Sequence, residues 1–189
     1  MDDPIRAAMA AVAREDFLPE GQRKHASTDA PLAIGWGQTN SQPHTVEAML
    51  RLLDLGPGMR VLDVGAGSGW TTALLAHLVG EDGSVIGVEI VPELRDLASA
   101  ALSGYDPEHV RVELAERGVL GWPAEAPYDR VLVSAAARSL PTPLVDQLGD
   151  GGLLVVPVRG RMTRVVRSAD GGTTVTEHGA YRFVPLLDW

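Results

Sequence analysis

Three glycines at alternate positions, Gly65, Gly67 and Gly69, are the residues of this sequence best suited to hold a ligand. They follow an apolar stretch at 61–64 that predicts a short buried strand, and they precede residues 71–79, which predict a helix. Glycine lets the backbone turn sharply and approach a ligand closely because it has no Cβ. The start of a helix adds free N–H groups and a partial positive charge. A strand, a glycine turn and a helix in this order predict a site for a nucleotide-type cofactor.

The spacing of the glycines indicates which cofactor the turn holds. The dinucleotide fingerprint G-x-G-x-x-G requires a glycine where this chain has Trp70. The observed G-x-G-x-G, with Asp63 two residues before the first glycine, resembles the first motif of S-adenosylmethionine-dependent methyltransferases. This resemblance implies that the turn wraps the methionine end of the cofactor. The next predicted strand, residues 84–89, ends in Glu89, whose carboxylate can accept hydrogen bonds from both ribose hydroxyls.

The composition limits the classes of function. The chain has 189 residues and 45% hydrophobic content, which suits one domain with a full core. A net charge of −9 argues against nucleic acid and anionic membranes as partners. The sequence has no apolar run of membrane-spanning length and no pattern typical of a signal peptide. It contains no cysteine, and its histidines are not spaced as metal ligands usually are. We therefore expect a cytoplasmic monomer without a metal ion.

Predicted strands and helices alternate after the glycine turn. This alternation predicts an α/β fold, a Rossmann-like doubly wound and mostly parallel sheet with helices on both faces. Beyond residue 159 the predicted strands follow one another without helices, which indicates antiparallel C-terminal edge strands. The predicted strands are residues 61–64, 84–89, 109–114, 130–134, 152–158, 163–167, 173–177 and 181–186, and the predicted helices are residues 4–15, 45–53, 71–79, 92–102 and 142–148.

The first 56 residues predict an N-terminal extension of helices and a substrate loop, placed before a cofactor-binding core at 57–189. We predict that both parts belong to a single domain spanning residues 1–189. The stretch from residue 20 to residue 43 is polar and interrupted by glycine, and it is long for a connection without secondary structure. Loops of this length are usually functional or disordered. The stretch also contains the apolar residues Leu32, Ile34 and Trp36. Because such side chains favour burial, we expect an ordered loop that packs on the body of the protein.

The segment PLAIGWGQTNSQPH, residues 31–44, resembles the signature of protein-L-isoaspartate O-methyltransferases. Members of that family methylate the free α-carboxylate of an L-isoaspartyl residue, which arises by asparagine deamidation or aspartate isomerisation. The ester then collapses to a succinimide that opens partly to normal aspartate. The resemblance implies an S-adenosylmethionine-dependent repair enzyme that acts on isoaspartyl proteins or peptides. The likeness continues in VLDVGAGSGWTTALL (61–75), GVEIVPEL (87–94), GW (121–122), YDRVLVSAA (128–136) and FVPL (183–186).

The resemblance also implies a role for particular residues. Ser41 corresponds to the active-site serine, and Thr39 is expected to act beside it. Asn40 and His44 are expected to meet the peptide. From the local sequence alone, Ser41 is equally well explained as the N-cap of the next helix, and His44 as an ordinary first-turn residue. The residues expected at the cofactor are Gln38, Asp63, Gly65, Ala66, Gly67, Gly69, Glu89, Ile90, Glu116, Arg117 and Gly118.

Two residues depart from the family pattern. Arg117 stands where an aspartate usually faces the adenine, and a guanidinium cannot accept a hydrogen bond from the adenine amino group, although Glu116 could substitute. Asn40 stands where isoleucine is common. Three alternatives therefore stay open: a related carboxyl methyltransferase that esterifies an aspartate of one specific partner, a dinucleotide-dependent oxidoreductase, and a cofactor-binding protein without turnover.

The chemistry of methyl transfer to a carboxylate explains why no strong base is evident beside Ser41. A carboxyl group with a pKa near 4 is already ionised at neutral pH. A cation and an anion become two neutral groups, so a sheltered pocket favours the reaction. The protein contributes mainly by positioning the reactants and excluding water.

Overall fold

The structure is a computed structural model that describes residues 3–187. The predicted domain 1–189 therefore extends two residues beyond the described range at each end. The helices are α1 (Pro4–Ala11), α2 (Glu20–Arg23), α3 (Pro43–Leu53), α4 (Trp70–Val79), α5 (Pro92–Ala101) and α6 (Thr142–Val145), with short 3-10 helices at Arg14–Phe17 and Pro123–Glu125. The strands are β1 (Leu32–Gly35), β2 (Gln38–Asn40), β3 (Arg60–Val64), β4 (Ser84–Glu89), β5 (Val110–Leu114), β6 (Tyr128–Val133), β7 (Leu148–Val158), β8 (Arg161–Arg167) and β9 (Thr173–Ala180).

Seven strands form one sheet in the order β5-β4-β3-β6-β7-β8-β9. The pairs from β5 to β7 are parallel, and β8 and β9 add antiparallel pairs at one edge. The chain runs outward from β3 to β5 and then returns to place β6 on the other side of β3. The carboxyl ends of β3 and β6 therefore meet at the switch point, where open α/β sheets bind ligands. The predicted Rossmann-like, doubly wound fold with antiparallel edge strands is confirmed.

Helices cover both faces of the central strands, so those strands are apolar on both sides. Val61, Leu62 and Val64 of β3 are all buried. Helix α4 is buried nearly all round because it is packed between the sheet and the N-terminal helices, and Ala8 and Phe17 belong to the same hydrophobic cluster. The N-terminal extension thus shares the core of the sheet and is held against the glycine turn. Within residues 3–187, no helix combines the length and apolarity that a bilayer crossing requires.

The N-terminal extension differs from its prediction in two ways. The predicted helix 4–15 ends at Ala11 and is followed by the 3-10 helix. The predicted loop 20–43 contains α2 and an antiparallel β1–β2 hairpin, which the sequence analysis missed. The tip of the hairpin, Gly35-Trp36-Gly37, has three successive positive φ angles. Its strands are only four and three residues long, too short for a period-two pattern to identify them.

Two further predictions were wrong near the C-terminus. The helix predicted at 142–148 ends at Val145, because Leu148 already pairs with Tyr128 in the sheet. The strand predicted at 181–186 does not form. Instead, this segment leaves the sheet edge and crosses to the carboxyl end of β6, where the carbonyl of Val184 accepts a hydrogen bond from Ala136 N–H. The alternation of residue types at 181–186, which predicted a strand, therefore reflects contacts on two sides of an irregular segment.

Candidate active site

The glycine turn connects β3 to α4 and is anchored on the neighbouring strand. Gly65, Gly67 and Gly69 all have positive φ, at 81°, 56° and 91°, a region that other residues rarely adopt. The amide of Gly65 donates to the carbonyl of Val88 at 2.9 Å. Helix α4 has no side-chain cap at its N-terminus, so the N–H groups of its first turn are available to an anionic ligand group.

Glu89 lies at the carboxyl end of β4 and is only 4% exposed. Its Oε2 atom accepts a hydrogen bond from Gly67 N–H at 2.8 Å, and its Oε1 atom accepts from Ile90 and Val91 N–H at 2.8 and 3.0 Å. A carboxylate has about four acceptor sites, and these bonds occupy both sites of Oε1 and one of Oε2, so Oε2 can still accept from one ligand hydroxyl. Glu89 therefore fixes the glycine turn relative to β4 and presents a carboxylate at the edge of the turn.

Asp63 lies behind the turn and does not reach the cavity. Its Oδ2 atom accepts a hydrogen bond from Thr72 Oγ1 at 2.8 Å, which joins β3 to α4, while Oδ1 has no partner among the described residues. Complete burial raises the pKa of Asp63 to about 7. The Thr72 hydrogen bond opposes this rise and the charge of Glu89 adds to it. Asp63 therefore supports the shape of the turn, and a contact between Asp63 and the cofactor stays a prediction.

One cavity joins the glycine turn to the segment that follows β2. It includes nine of the residues that the sequence analysis placed at the cofactor or the reacting carboxylate. They are Gln38, Thr39, Asn40, Ser41, Gly65, Ala66, Gly67, Glu89 and Ile90. The remaining wall consists of residues that the predicted set omitted: Ser68, Trp70, Thr71, Ser134, Ala135 and the segment from Val184 to Leu187.

Sequence signals existed for some of the omitted residues. Ser134 and Ala135 directly follow β6, and residues at the carboxyl end of a central parallel strand commonly face the ligand. Trp70 follows the last glycine of the turn. The segment from Val184 to Leu187 could not be found in this way, because only the long-range contact with Ala136 brings it to the site.

A second cavity adjoins the first and shares four residues with it: Thr39, Ser41, Ser134 and Val184. Its other walls include Arg182 and Thr45. Because Ser41 borders both spaces, a group bound in the second cavity can meet a group bound at the glycine turn beside the Ser41 hydroxyl.

The Ser41 side chain does not cap helix α3, so that alternative reading is wrong. The N-cap residue is Gln42, and its side chain makes no capping bond. Asp29 caps the helix from a distance, because its Oδ1 accepts from His44 N–H at 2.9 Å and its Oδ2 accepts from Gln42 Nε2 at 3.0 Å. The His44 amide bond is the main cause that lowers the pKa of Asp29. Among residues 3–187, the Ser41 hydroxyl has no hydrogen-bond partner and is therefore available to a substrate.

Several predicted site residues lie outside both cavities. His44 lies in the first turn of α3, as the simpler reading of the sequence expected. Gly69 faces α5, since a Cβ built on it would lie 3.1 Å from Ala98 Cβ. The exposed turn Glu116-Arg117-Gly118 follows β5, next to the strand that ends in Glu89. Adenine contacts by that turn stay a prediction. The described part of the chain holds no group of three or more histidine, aspartate or glutamate side chains arranged for a metal ion.

A doubly wound sheet, a G-x-G-x-G turn at its switch point and an acid at the end of the adjacent strand define the class of S-adenosylmethionine-dependent methyltransferases. The sequence profile of the Protein-L-isoaspartate(D-aspartate) O-methyltransferase (PCMT) family matches residues 1–189. The chain belongs to this family.

Individual relatives agree with the assignment. A Protein-L-isoaspartate O-methyltransferase of Methanopyrus kandleri is 47% identical over 189 residues, which cover 97% of this chain and 83% of the relative. A solved structure named protein-L-isoaspartate O-methyltransferase superposes with a TM-score of 0.85 at 27% identity, over 97% of this chain and 61% of the other. A Plasmodium falciparum structure described as a PCMT in complex with S-adenosyl-L-homocysteine superposes with a TM-score of 0.82 at 27% identity, over 98% of this chain and 91% of the other. The predicted family, enzyme class and cofactor are confirmed.

Proposed function

We propose that this enzyme transfers a methyl group from S-adenosylmethionine to the free α-carboxylate of L-isoaspartyl residues in damaged proteins and peptides, with Ser41 at the point of transfer. The observation that carries the assignment of Ser41 is its place on the wall shared by the two cavities. The glycine turn lies on one side of it, and the space lined by Arg182 and Thr45 lies on the other.

The residues around the glycine turn fit the cofactor. Gly67 lines the cavity with a φ of 56°, and a Cβ there would lie 3.3 Å from Cδ1 of the buried Ile34, so glycine suits this part of the turn. The uncapped first turn of α4 suits the methionine carboxylate, and Oε2 of Glu89 suits a ribose hydroxyl. When bound, S-adenosylmethionine supplies a methyl group on a positively charged sulfur, and the bond that breaks leaves its electron pair on that sulfur.

At the acceptor side, the protein's task is orientation. The substrate carboxylate is already ionised, so no residue has to remove a proton. The Ser41 hydroxyl donates a hydrogen bond to one carboxylate oxygen and leaves the other free to form the new C–O bond. Because opposite charges cancel as the bond forms, the apolar groups of Ala135, Val184 and Leu186 favour the transition state by limiting water.

A paired peptide assay tests this function. Purified enzyme is given S-adenosylmethionine with a tritiated methyl group, together with an isoaspartyl peptide or the same peptide containing normal aspartate. We expect label only in the isoaspartyl peptide, and we expect mild alkali to release it as methanol because the product is an ester. Transfer to one particular protein aspartate, with none to isoaspartyl peptides, would contradict repair and support the specialised carboxyl methyltransferase.

We also propose that the enzyme acts as a cytoplasmic monomer that binds neither nucleic acid nor membranes. The net charge of −9 disfavours binding to nucleic acid and to anionic membranes. Size-exclusion chromatography with light scattering should give the mass of one chain, 20.0 kDa. A mass of two chains would overturn the monomer.

A further inference from the structure

Arg14, in the 3-10 helix, is a buried cation that makes no ion pair with any carboxylate of residues 3–187. It is 6% exposed. Burial lowers its pKa, and the nearby charge of Asp29 opposes that effect. Its three guanidinium nitrogens donate six hydrogen bonds, to Asn40 Oδ1 and to the carbonyls of Ala26, Thr28, Ala30, Asn40 and Ser41. A charge removed from water is tolerated only with such compensation, so the surrounding loop is built around this side chain.

A continuous series of contacts runs from Arg14 to both halves of the active site. Its Nη2 atom donates to the Ser41 carbonyl at 2.9 Å, and its Nε atom donates to Asn40 Oδ1 at 2.7 Å. The other end of the same amide, Asn40 Nδ2, donates to Ser68 Oγ at 3.3 Å. Ser68 stands between Gly67 and Gly69. One asparagine therefore connects the methyl-acceptor segment with the glycine turn.

Arg14 also contacts the start of α4 directly. Its guanidinium carbon lies 5.3 Å from the ring centre of Trp70, within the range of a cation–π interaction. The indole Nε1 of Trp70 donates to the Val12 carbonyl at 3.3 Å, which holds the ring in place. Arg14 is thus fixed on the cofactor side independently of Asn40.

We propose that Arg14 and Asn40 are positioning residues that couple the binding of the peptide to the binding of the cofactor. A ligand that orders the glycine turn fixes Ser68, and Ser68 in turn holds Asn40 and the adjacent Ser41. Linkage requires the same coupling in the reverse direction, from peptide to cofactor. The coupling rests on the proposed function, because it requires an isoaspartyl peptide beside Ser41. Asn40 suits the role because its amide accepts from Arg14 and donates to Ser68 at once, which an apolar side chain cannot do.

Isothermal titration calorimetry with S-adenosylhomocysteine and an isoaspartyl peptide measures the coupling without turnover, because this cofactor product carries no methyl group to transfer. Four dissociation constants are needed, for each ligand alone and in the presence of the other. In the wild type we expect each ligand to tighten the other about 5-fold, the amount that one net hydrogen bond supplies. Equal affinities with and without the second ligand would overturn the proposal.

Two variants separate positioning from general damage to the fold. Ser68→Ala removes only the acceptor on the glycine turn. Asn40→Leu removes both the acceptor for Arg14 and the donor to Ser68 and keeps a side chain of similar size. In both we expect the coupling factor, which is the ratio of a ligand's dissociation constants without and with the other ligand, to fall to about 1, whatever the affinity of the variant for S-adenosylhomocysteine alone. Ser103→Ala, which changes an exposed serine away from the site, should retain the full coupling.

The outcomes distinguish this proposal from the function on which it rests. Coupling that survives in both Ser68→Ala and Asn40→Leu would overturn the role of Asn40. Methylation of isoaspartyl peptides together with uncoupled binding would leave the proposed function intact and reject only the coupling. A wild type that neither binds nor methylates isoaspartyl peptides would overturn both.

Discussion

At the scale of single residues, the availability of the Ser41 hydroxyl depends on Asp29, which caps α3 in its place. We predict that Ser41→Ala lowers kcat/KM for an isoaspartyl peptide about 10- to 100-fold, the effect expected for a lost hydrogen bond to a carboxylate. The affinity for S-adenosylhomocysteine should remain unchanged, because the glycine turn is untouched. Steady-state kinetics and calorimetry measure the two effects, with Ser103→Ala as the control. Wild-type turnover in Ser41→Ala would remove the hydroxyl from the mechanism.

Asp63 gives a prediction for the stability of the cofactor-free protein. Its pKa is about 7 in the folded state, compared with 3.8 for an ordinary aspartate. Between these values the folded protein holds a proton that the unfolded chain has released, so the free energy of unfolding falls as pH rises and levels off above about 7. Asp63→Asn cannot ionise. From pH 5 to pH 8, the wild type should therefore lose roughly 3 kcal/mol relative to Asp63→Asn.

Urea unfolding of both proteins at the two pH values measures this difference. All other titrating groups are common to the two proteins, so their contributions cancel. If the free energy of unfolding changed with pH by the same amount in the wild type and in Asp63→Asn, Asp63 would not titrate between pH 5 and pH 8.

At the scale of elements, the glycines of the turn have different surroundings: Gly69 packs against α5, and Gly67 lines the cavity. A Cβ on Gly69 would lie 3.1 Å from Ala98 Cβ and 3.3 Å from its Cα, both in α5. We predict that Gly69→Ala destabilises the fold by about 2 kcal/mol or more, because crowding adds to the cost of positive φ. Gly67 lines the cavity whereas Gly69 does not, so Gly67→Ala should weaken S-adenosylhomocysteine binding more than Gly69→Ala does. The opposite ranking of affinities would contradict this division of roles.

The start of α3 depends on the loop before the β1–β2 hairpin. Asp29→Ala removes the acceptor for His44 N–H and for Gln42 Nε2, so we expect a lower urea midpoint of unfolding. We also expect a lower kcat/KM, because Ser41 immediately precedes Gln42 and would lose its fixed position. Asp29→Asn keeps an acceptor oxygen and should lie between Asp29→Ala and the wild type in both measurements. Equal midpoints for Asp29→Ala and the wild type would show that the distant cap does not stabilise the helix.

At the scale of the whole molecule, the net charge of −9 should influence which damaged sites are repaired. We predict a lower KM for isoaspartyl peptides flanked by lysine than for the same peptides flanked by glutamate, because the field of the protein attracts cations. The difference should shrink between low salt and about 0.3 M salt, where charges more than several Å apart are screened. A difference that does not respond to salt would indicate local contacts instead of the overall charge.

Much of the molecule follows from local sequence. The glycine turn, the central strands and the acid at Glu89 are recognisable because a buried parallel strand, a turn with positive φ and a helix each impose their own residue types within a few positions. The glycine turn and the likeness of residues 31–44 were likewise sufficient to predict the family, the enzyme class and the cofactor, all of which the comparisons confirm.

Only the tertiary structure decided which residues meet. The capping of α3 by Asp29, the use of Arg14 as a buried hub, and the wall formed by Val184 to Leu187 each join segments far apart in the chain. No local pattern records such contacts, because their free energy arises only when the sheet has brought the segments together. The sequence therefore determined the kind of cofactor site and the family, whereas packing across distant segments decided the identity of the surrounding walls and the orientation of Ser41.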